Sequence, residues 1–168
     1  MLVVFGGLPG TGKSTIARLV TQRCKAVLLR IDTIEQAIRS SEVLAGDIGP
    51  AGYAAAFGLA ESNLALGHIV IADSVNPLPV TREAWRSVAV GRSVPLLEVE
   101  IICSDEAKHR HRVENRVSDI PGLQLPDWPA VIGREYAPWP ECDVRIDTAK
   151  MSAEQAASQI IEAINNRL

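Results

Sequence analysis

Leu2-Val3-Val4-Phe5-Gly6-Gly7-Leu8-Pro9-Gly10-Thr11-Gly12-Lys13-Ser14-Thr15 joins a continuously apolar run to a glycine-rich turn, then to a lysine and two hydroxyls. Four apolar residues without polar alternation read as a strand covered on both faces. Residues 13–24 follow, with Ile16, Ala17, Leu19 and Val20 at helical spacing, so the turn lies between a strand and a helix. Gly7, Gly12, Lys13 and Ser14 satisfy every fixed position of G-x-x-x-x-G-K-[ST]. Average residue frequencies produce that pattern by chance about once in 200 chains of this length, so match and setting carry weight together.

The chemistry asks for this spacing. Glycines let successive backbone N–H groups converge on one anion-sized hollow, and the helix that follows adds the positive end of its dipole. Gly7, Leu8, Pro9, Gly10, Thr11, Gly12, Lys13, Ser14 and Thr15 are therefore expected to cradle the phosphates of ATP. Lys13 would reach the β- and γ-phosphates, and the Ser14 hydroxyl would ligate Mg²⁺.

Outward from this loop, β-branched apolar runs alternate with helical segments. Residues 26–31 read as a second strand ending at Asp32, followed by a short helix over 33–39. Gly49-Pro50 opens a longer helix to Leu66, closed by Gly67. Residues 68–72 form a third strand stopping at Asp73, and 80–91 a helix with Thr81 as its cap. Residues 96–103 make a fourth strand, and Ser104 caps a helix running to about Val117. A fifth strand covers 144–147, and an amphipathic helix fills 152–168. There is no repeat or linker, so 1–168 reads as a single domain. Strands alternating with helices imply right-handed crossovers and a parallel three-layer α/β sheet.

Ligands of open α/β sheets gather at the carboxyl ends of the strands, where Asp32 and Asp73 stand. Asp73 closes the apolar run Ile69-Val70-Ile71-Ala72, which suits a carboxylate holding Mg²⁺ or Ser14. Asp32 is the candidate base for an attacking hydroxyl, a role compatible with capping the helix after it.

Lys108-His109-Arg110-His111-Arg112-Val113-Glu114-Asn115-Arg116 concentrates positive charge. Arg112 and Arg116 are four apart and are expected on one helical face, one covering the adenine and the other touching the transferred phosphate. His109 and His111 read as incidental. The stretch 118–142 carries prolines 121, 126, 129, 138 and 140 with Trp128 and Trp139. Residues 118–140 read as a lid that excludes water from the closed site. Trp128, Tyr136 and Trp139 are expected to pack it, and Arg134 to enter the closed site.

Composition narrows the classes. Hydrophobic residues make up 47% and charged residues 22%, close to the globular average, so disorder is excluded as the default. A formal net charge of −3 argues against a broad basic nucleic-acid surface. Three cysteines without a CxxC pair read as small, mostly buried, reduced side chains. No apolar run reaches the ~20 residues of a membrane span, and the short apolar start lacks a basic leader. A cytoplasmic location without an obligate protein partner is the expectation.

Together the glycine loop, Gly67-His68-Ile69-Val70-Ile71-Ala72-Asp73-Ser74 and Arg112-Val113-Glu114-Asn115-Arg116 give a chain that resembles the AAA_33-type P-loop kinases. That group includes polynucleotide 5′-hydroxyl kinase, chloramphenicol phosphotransferase-like, zeta-toxin-like and gluconate-kinase relatives. The resemblance implies a P-loop NTPase fold with five parallel strands in the order 2-3-1-4-5. It also implies transfer of the ATP γ-phosphate to a hydroxyl, with Asp32 activating the acceptor. Polynucleotide kinases carry an arginine three residues after this aspartate; here Glu35 stands there, and the nearest arginine is Arg39. Small-molecule acceptors are thereby favoured over nucleic-acid 5′ ends, with Tyr53 and Arg82 as candidate acceptor contacts. A nucleotide-binding regulator or NTPase without an acceptor is the alternative from another class.

Overall fold

A computed structural model describes residues 1–43 and 46–168. Leu44 and Ala45, inside the 40–57 segment expected to shape the acceptor site, lie outside the described residues.

Leu2–Gly6 (β1) is buried at every residue, which accounts for its lack of polar alternation. It occupies the centre of a five-stranded parallel sheet with Val27–Arg30 (β2), Val70–Asp73 (β3), Leu96–Ile102 (β4) and Val144–Asp147 (β5). The strand order is β2-β3-β1-β4-β5, as expected from the sequence. Register sets Phe5 beside Asp73 and Asp73 beside Arg30, so three strand ends meet at one carboxyl edge.

Helices cover both faces. Lys13–Cys24 (α1) and Ala153–Asn165 (α7) bury Ile16, Ala17, Val20, Ile160 and Ile164 against Val3, Phe5, Val99 and Ile101. Ala51–Ala65 (α3) and Pro79–Gly91 (α4) bury Ala56, Ala60, Leu64 and Trp85 against Leu2, Val4, Val70 and Ala72. Alternate residues of β1 thus serve opposite layers, the period-two geometry of a strand. The small residues along one face of α3 let it approach the sheet closely.

β4 departs from this apolar plan. Its Glu98 and Glu100 are buried, and each needs a partner. Arg86 of α4 donates to both Glu98 oxygens at 2.9 Å, and Arg145 Nε donates to Glu100 at 2.6 Å. Tyr136 also donates to Glu100, at 3.0 Å.

Several element ends differ from expectation. Ile31–Ser40 (α2) begins before Asp32, so that residue lies in the first helical turn and not beyond a strand. Thr81 does not cap α4: Leu78 holds that position, Pro79 follows it, and the Thr81 hydroxyl donates to the Leu78 carbonyl at 2.8 Å. Asp105, not Ser104, caps Glu106–Asn115 (α5), accepting from the Lys108 N–H at 2.9 Å. Ser104 donates to Asp147 instead. α5 stops at Asn115, and Arg116 is extended with ψ 145, so Arg112 and Arg116 do not share a helical face. Trp128–Ile132 (α6) is a short helix inside the proline-rich stretch. All three cysteines are free and half-buried, more open than expected.

Candidate active site

The glycine loop leaves the end of β1 and turns back into α1. Gly7 has φ 135, and a Cβ there would come within 2.1 Å of the Ile101 carbonyl oxygen. Gly10 has φ 85, and a Cβ there would meet Val113 of α5 at 2.4 Å. Neither position admits a side chain, because backbone and space both forbid one. Within the loop, Thr11 Oγ1 donates to the Leu8 carbonyl at 2.9 Å and Lys13 Nζ donates to it at 3.1 Å. The Lys13 ammonium is therefore folded over the hollow that it would serve.

Distant segments brace this loop. Thr148, just past β5, points its hydroxyl at the Thr11 carbonyl (2.8 Å), with the Ile102 carbonyl at 3.1 Å. His109 of α5 places Nε2 2.8 Å from the Pro9 carbonyl and meets Trp128 edge-on. Leu8 packs on Val113, Trp128 and Val131. His109 is thus buried structural support and not incidental, a role with no local sequence signal.

Asp73 ends β3 with 3% of its surface exposed, and its Oδ2 has no hydrogen-bond partner among the described residues. Burial raises its pKa, opposed by the Lys13 charge and the Ser14 hydroxyl. Lys13 shows the mirror effect: burial lowers its pKa, while Asp73 and Asp32 favour the charged form. Arg30, the last residue of β2, holds Nε 3.8 Å from Asp73 Oδ2. Sequence reasoning passed over Arg30; the available signal was a charge closing an otherwise apolar strand.

These groups open into one cavity of about 1520 Å³. Lys13, Ser14 and Asp73 line it, as do Asp32, Glu35, Arg39, Tyr53 and Arg134. Glu35 is paired with Arg39 at 3.1 Å, and the Tyr53 hydroxyl accepts from the Asn76 N–H at 3.3 Å. Arg82 corrects the reading made from sequence: it is 3% exposed and does not line this cavity. Its guanidinium donates to the carbonyls of Asn76, Pro77, Ala137 and Pro138 and lies over the Trp139 ring, so four of its five donors are spent on the chain itself.

A model of the AAA_33 family, described as an AAA domain, matches residues 2–127, three quarters of the chain. This chain belongs to the AAA_33 family. No curated protein matches it. Among solved structures, a candidate kinase from Chloroflexus aurantiacus J-10-fl aligns with TM-score 0.78 at 17% identity, covering 99% of this chain and 97% of the other. The Mycobacterium tuberculosis APS kinase CysC in complex with AMPPNP and APS gives TM-score 0.67 at 21% identity, covering 98% and 96%. A gluconokinase from Sinorhizobium meliloti 1021 gives 0.63 at 18% identity, covering 97% and 94%. At these identities the likeness is one of fold.

In this AAA_33 chain the two arginines of the basic segment sit differently. Arg112 donates to the Thr148 hydroxyl at 2.8 Å and to the Thr148 carbonyl at 3.1 Å, which lays its guanidinium at the cavity wall beside Ala149 and Lys150. Arg116 has Nε and Nη2 buried without partners among the described residues. Burial lowers its pKa while Asp32 favours the charge. Orphaned buried donors beside a glycine cradle fit a phosphate, and the orphaned Asp73 oxygen beside Ser14 fits a hard cation. Among the described residues no group of three or more His, Cys, Asp or Glu forms a metal cage. Mg²⁺ does not need one, since it keeps waters and takes phosphate oxygens with one or two protein ligands. No helix among the described residues is long and apolar enough to cross a membrane.

Proposed function

We propose that this chain is an ATP-dependent kinase that moves the γ-phosphoryl group of ATP to a hydroxyl of a small molecule. The observation that carries the reading is the opening of an anion cradle and the Asp32 carboxylate into one cavity. Asp32 enters it from the first turn of α2, and no hydrogen bond or ion pair among the described residues engages its carboxylate.

Each residue then has a task. The loop from Gly7 to Thr15 binds the phosphates, with Lys13 at the β- and γ-groups. Ser14 and Asp73 would hold Mg²⁺, which when bound neutralises charge on the phosphate oxygens. Asp32 orients the acceptor hydroxyl and takes its proton as the new O–P bond forms and the bond to the ADP leaving oxygen breaks. Arg116 donates to the transferred group, and Arg112 with Thr148 and Ala149 forms the wall for the base. Tyr53 and Arg134 face the acceptor. Residues 118–140 serve as the lid that keeps water from competing with it.

Fold neighbours named as kinases of APS and gluconate support small, soluble hydroxyl acceptors. Glu35, paired with Arg39 at the cavity wall, stands where a polynucleotide kinase carries an arginine, so small molecules are favoured over nucleic-acid 5′ ends in this reading. Use of ATP on a soluble metabolite sets the protein in the cytoplasm.

The test is incubation with γ-labelled ATP, Mg²⁺ and a panel of hydroxyl metabolites. Labelled product beyond free phosphate supports the kinase. Hydrolysis alone across the panel would replace it with an acceptor-free NTPase, and labelled 5′-hydroxyl oligonucleotides with a nucleic-acid kinase.

A further inference from the structure

Arg116 enters the phosphate end of the cleft from a stretch without regular structure, and that stretch is tied at both ends. On one side, α5 is fastened through Arg112 to Thr148, beyond the edge strand β5. On the other, Asp119 lies against Arg30, which ends β2 at the opposite edge. Residues 112–119 therefore pass over the glycine loop, where Val113 meets Gly10, and reach the edge strand β2.

The second tie is built as an anchor. Arg30 Nη1 donates to the two Asp119 oxygens at 2.8 and 2.9 Å, and Arg18 of α1 pairs with the same carboxylate. The turn that follows is closed by the Ile120 N–H donating to Ser118 Oγ at 3.1 Å, with Ile120 buried. Gly122 has φ 77, and a Cβ there would press on Gln36 of α2 at 3.0 Å. Asp119 is half exposed, whereas the Arg30 side chain is only 15% exposed, so the pair reaches from solvent to the floor of the cleft. Arg116 itself has two buried donors with no hydrogen-bond partner among the described residues to aim them. Its direction comes from the backbone held between the two ties.

Resting on the kinase reading, we infer that Asp119, clamped on Arg30, is a positioning residue that holds Arg116 over the phosphate cradle. Arg30 also lies beside Asp73, so one guanidinium ties the start of the lid to the candidate metal carboxylate. Asp119 itself is half exposed and Asn keeps its shape, so the substitution leaves the fold intact and frees the strap.

The experiment is a cycle of Asp119→Asn and Arg116→Ala, read by calorimetry with magnesium AMPPNP and by hydrogen exchange of the nucleotide-free chain. Asp119→Asn speeds exchange over residues 116–122. It weakens AMPPNP binding roughly tenfold, the worth of one charge-assisted hydrogen bond. In the Arg116→Ala background the same substitution costs no further affinity. Equal losses in both backgrounds, unchanged affinity, or unchanged exchange would each overturn the positioning role while leaving the kinase reading standing. A wild-type chain that bound no magnesium AMPPNP would sink both, a failure visible before any variant is made.

Discussion

The proposed phosphate cradle and the proposed acceptor wall share one cavity but are held by different means. At the cradle, backbone geometry leaves no freedom: Gly7 is within reach of the Ile101 carbonyl and Gly10 abuts Val113. Thr11 and Lys13 both donate to the Leu8 carbonyl inside the loop itself. At the acceptor wall, Asp32, Tyr53 and Arg134 come from three distant segments, and Arg134 is exposed. A locked cradle suits a ligand that never changes, and a wall of independent side chains suits one that differs between relatives.

The sharpest division between the halves comes from Lys13→Ala set against Asp32→Asn. Lys13→Ala weakens magnesium-ATP binding and slows transfer together, because it contacts ground and transition states alike. Asp32→Asn lowers transfer by about 10³-fold while ATP affinity stays within about twofold, the signature of a lost general base. Loss of ATP binding in Asp32→Asn would merge the two halves and remove that residue from the acceptor side.

Arg82→Ala comes next. Four carbonyls lose their donor, so thermal or denaturant unfolding should show a loss of about 3 kcal/mol. An unchanged melting temperature with a raised acceptor KM would return Arg82 to the acceptor wall.

Tyr53→Phe is milder. It removes a hydroxyl facing the cavity and should raise the acceptor KM about fivefold, near 1 kcal/mol, with the KM for ATP unchanged. Equal shifts in both constants would show that the halves are mechanically joined at α3.

The smallest effect is a pH dependence. Hydrogen bonding to Arg30 holds the Asp119 carboxyl below the usual carboxylate range. A depressed folded-state pKa contributes stability above the unfolded value, and this is lost as pH falls through the folded value. Denaturant midpoints of wild type and Asp119→Asn should differ by about 0.5 kcal/mol at pH 7 and converge as pH falls through the folded-state value. A difference that persisted in acid would mean that the pair does not titrate as drawn.

The same contrast explains what could be read from sequence. The cradle, the parallel sheet and Asp73 follow from local patterns: a fixed glycine spacing, apolar runs, a carboxylate at a strand terminus. Arg30 and His109 escaped because their partners, Asp119 and the Pro9 carbonyl, lie 89 and 100 residues away. Arg82 was misplaced for the same reason, since half of its carbonyl partners come from residues 137 and 138. Arg116 was assigned to a helical face because spacing alone does not reveal that α5 ends one residue earlier. The acidic pair on β4 was read past because Arg86 and Arg145 come from other elements.

Thr148 carries a lesson for anyone wishing to transplant this nucleotide-gripping segment into a foreign scaffold. Its hydroxyl supports the Thr11 carbonyl from a position 137 residues downstream, while receiving Arg112 on its other side. A graft of residues 7–15 alone would arrive without that prop and with a peptide oxygen left dangling. The portable unit must include the crossover beyond the fifth strand.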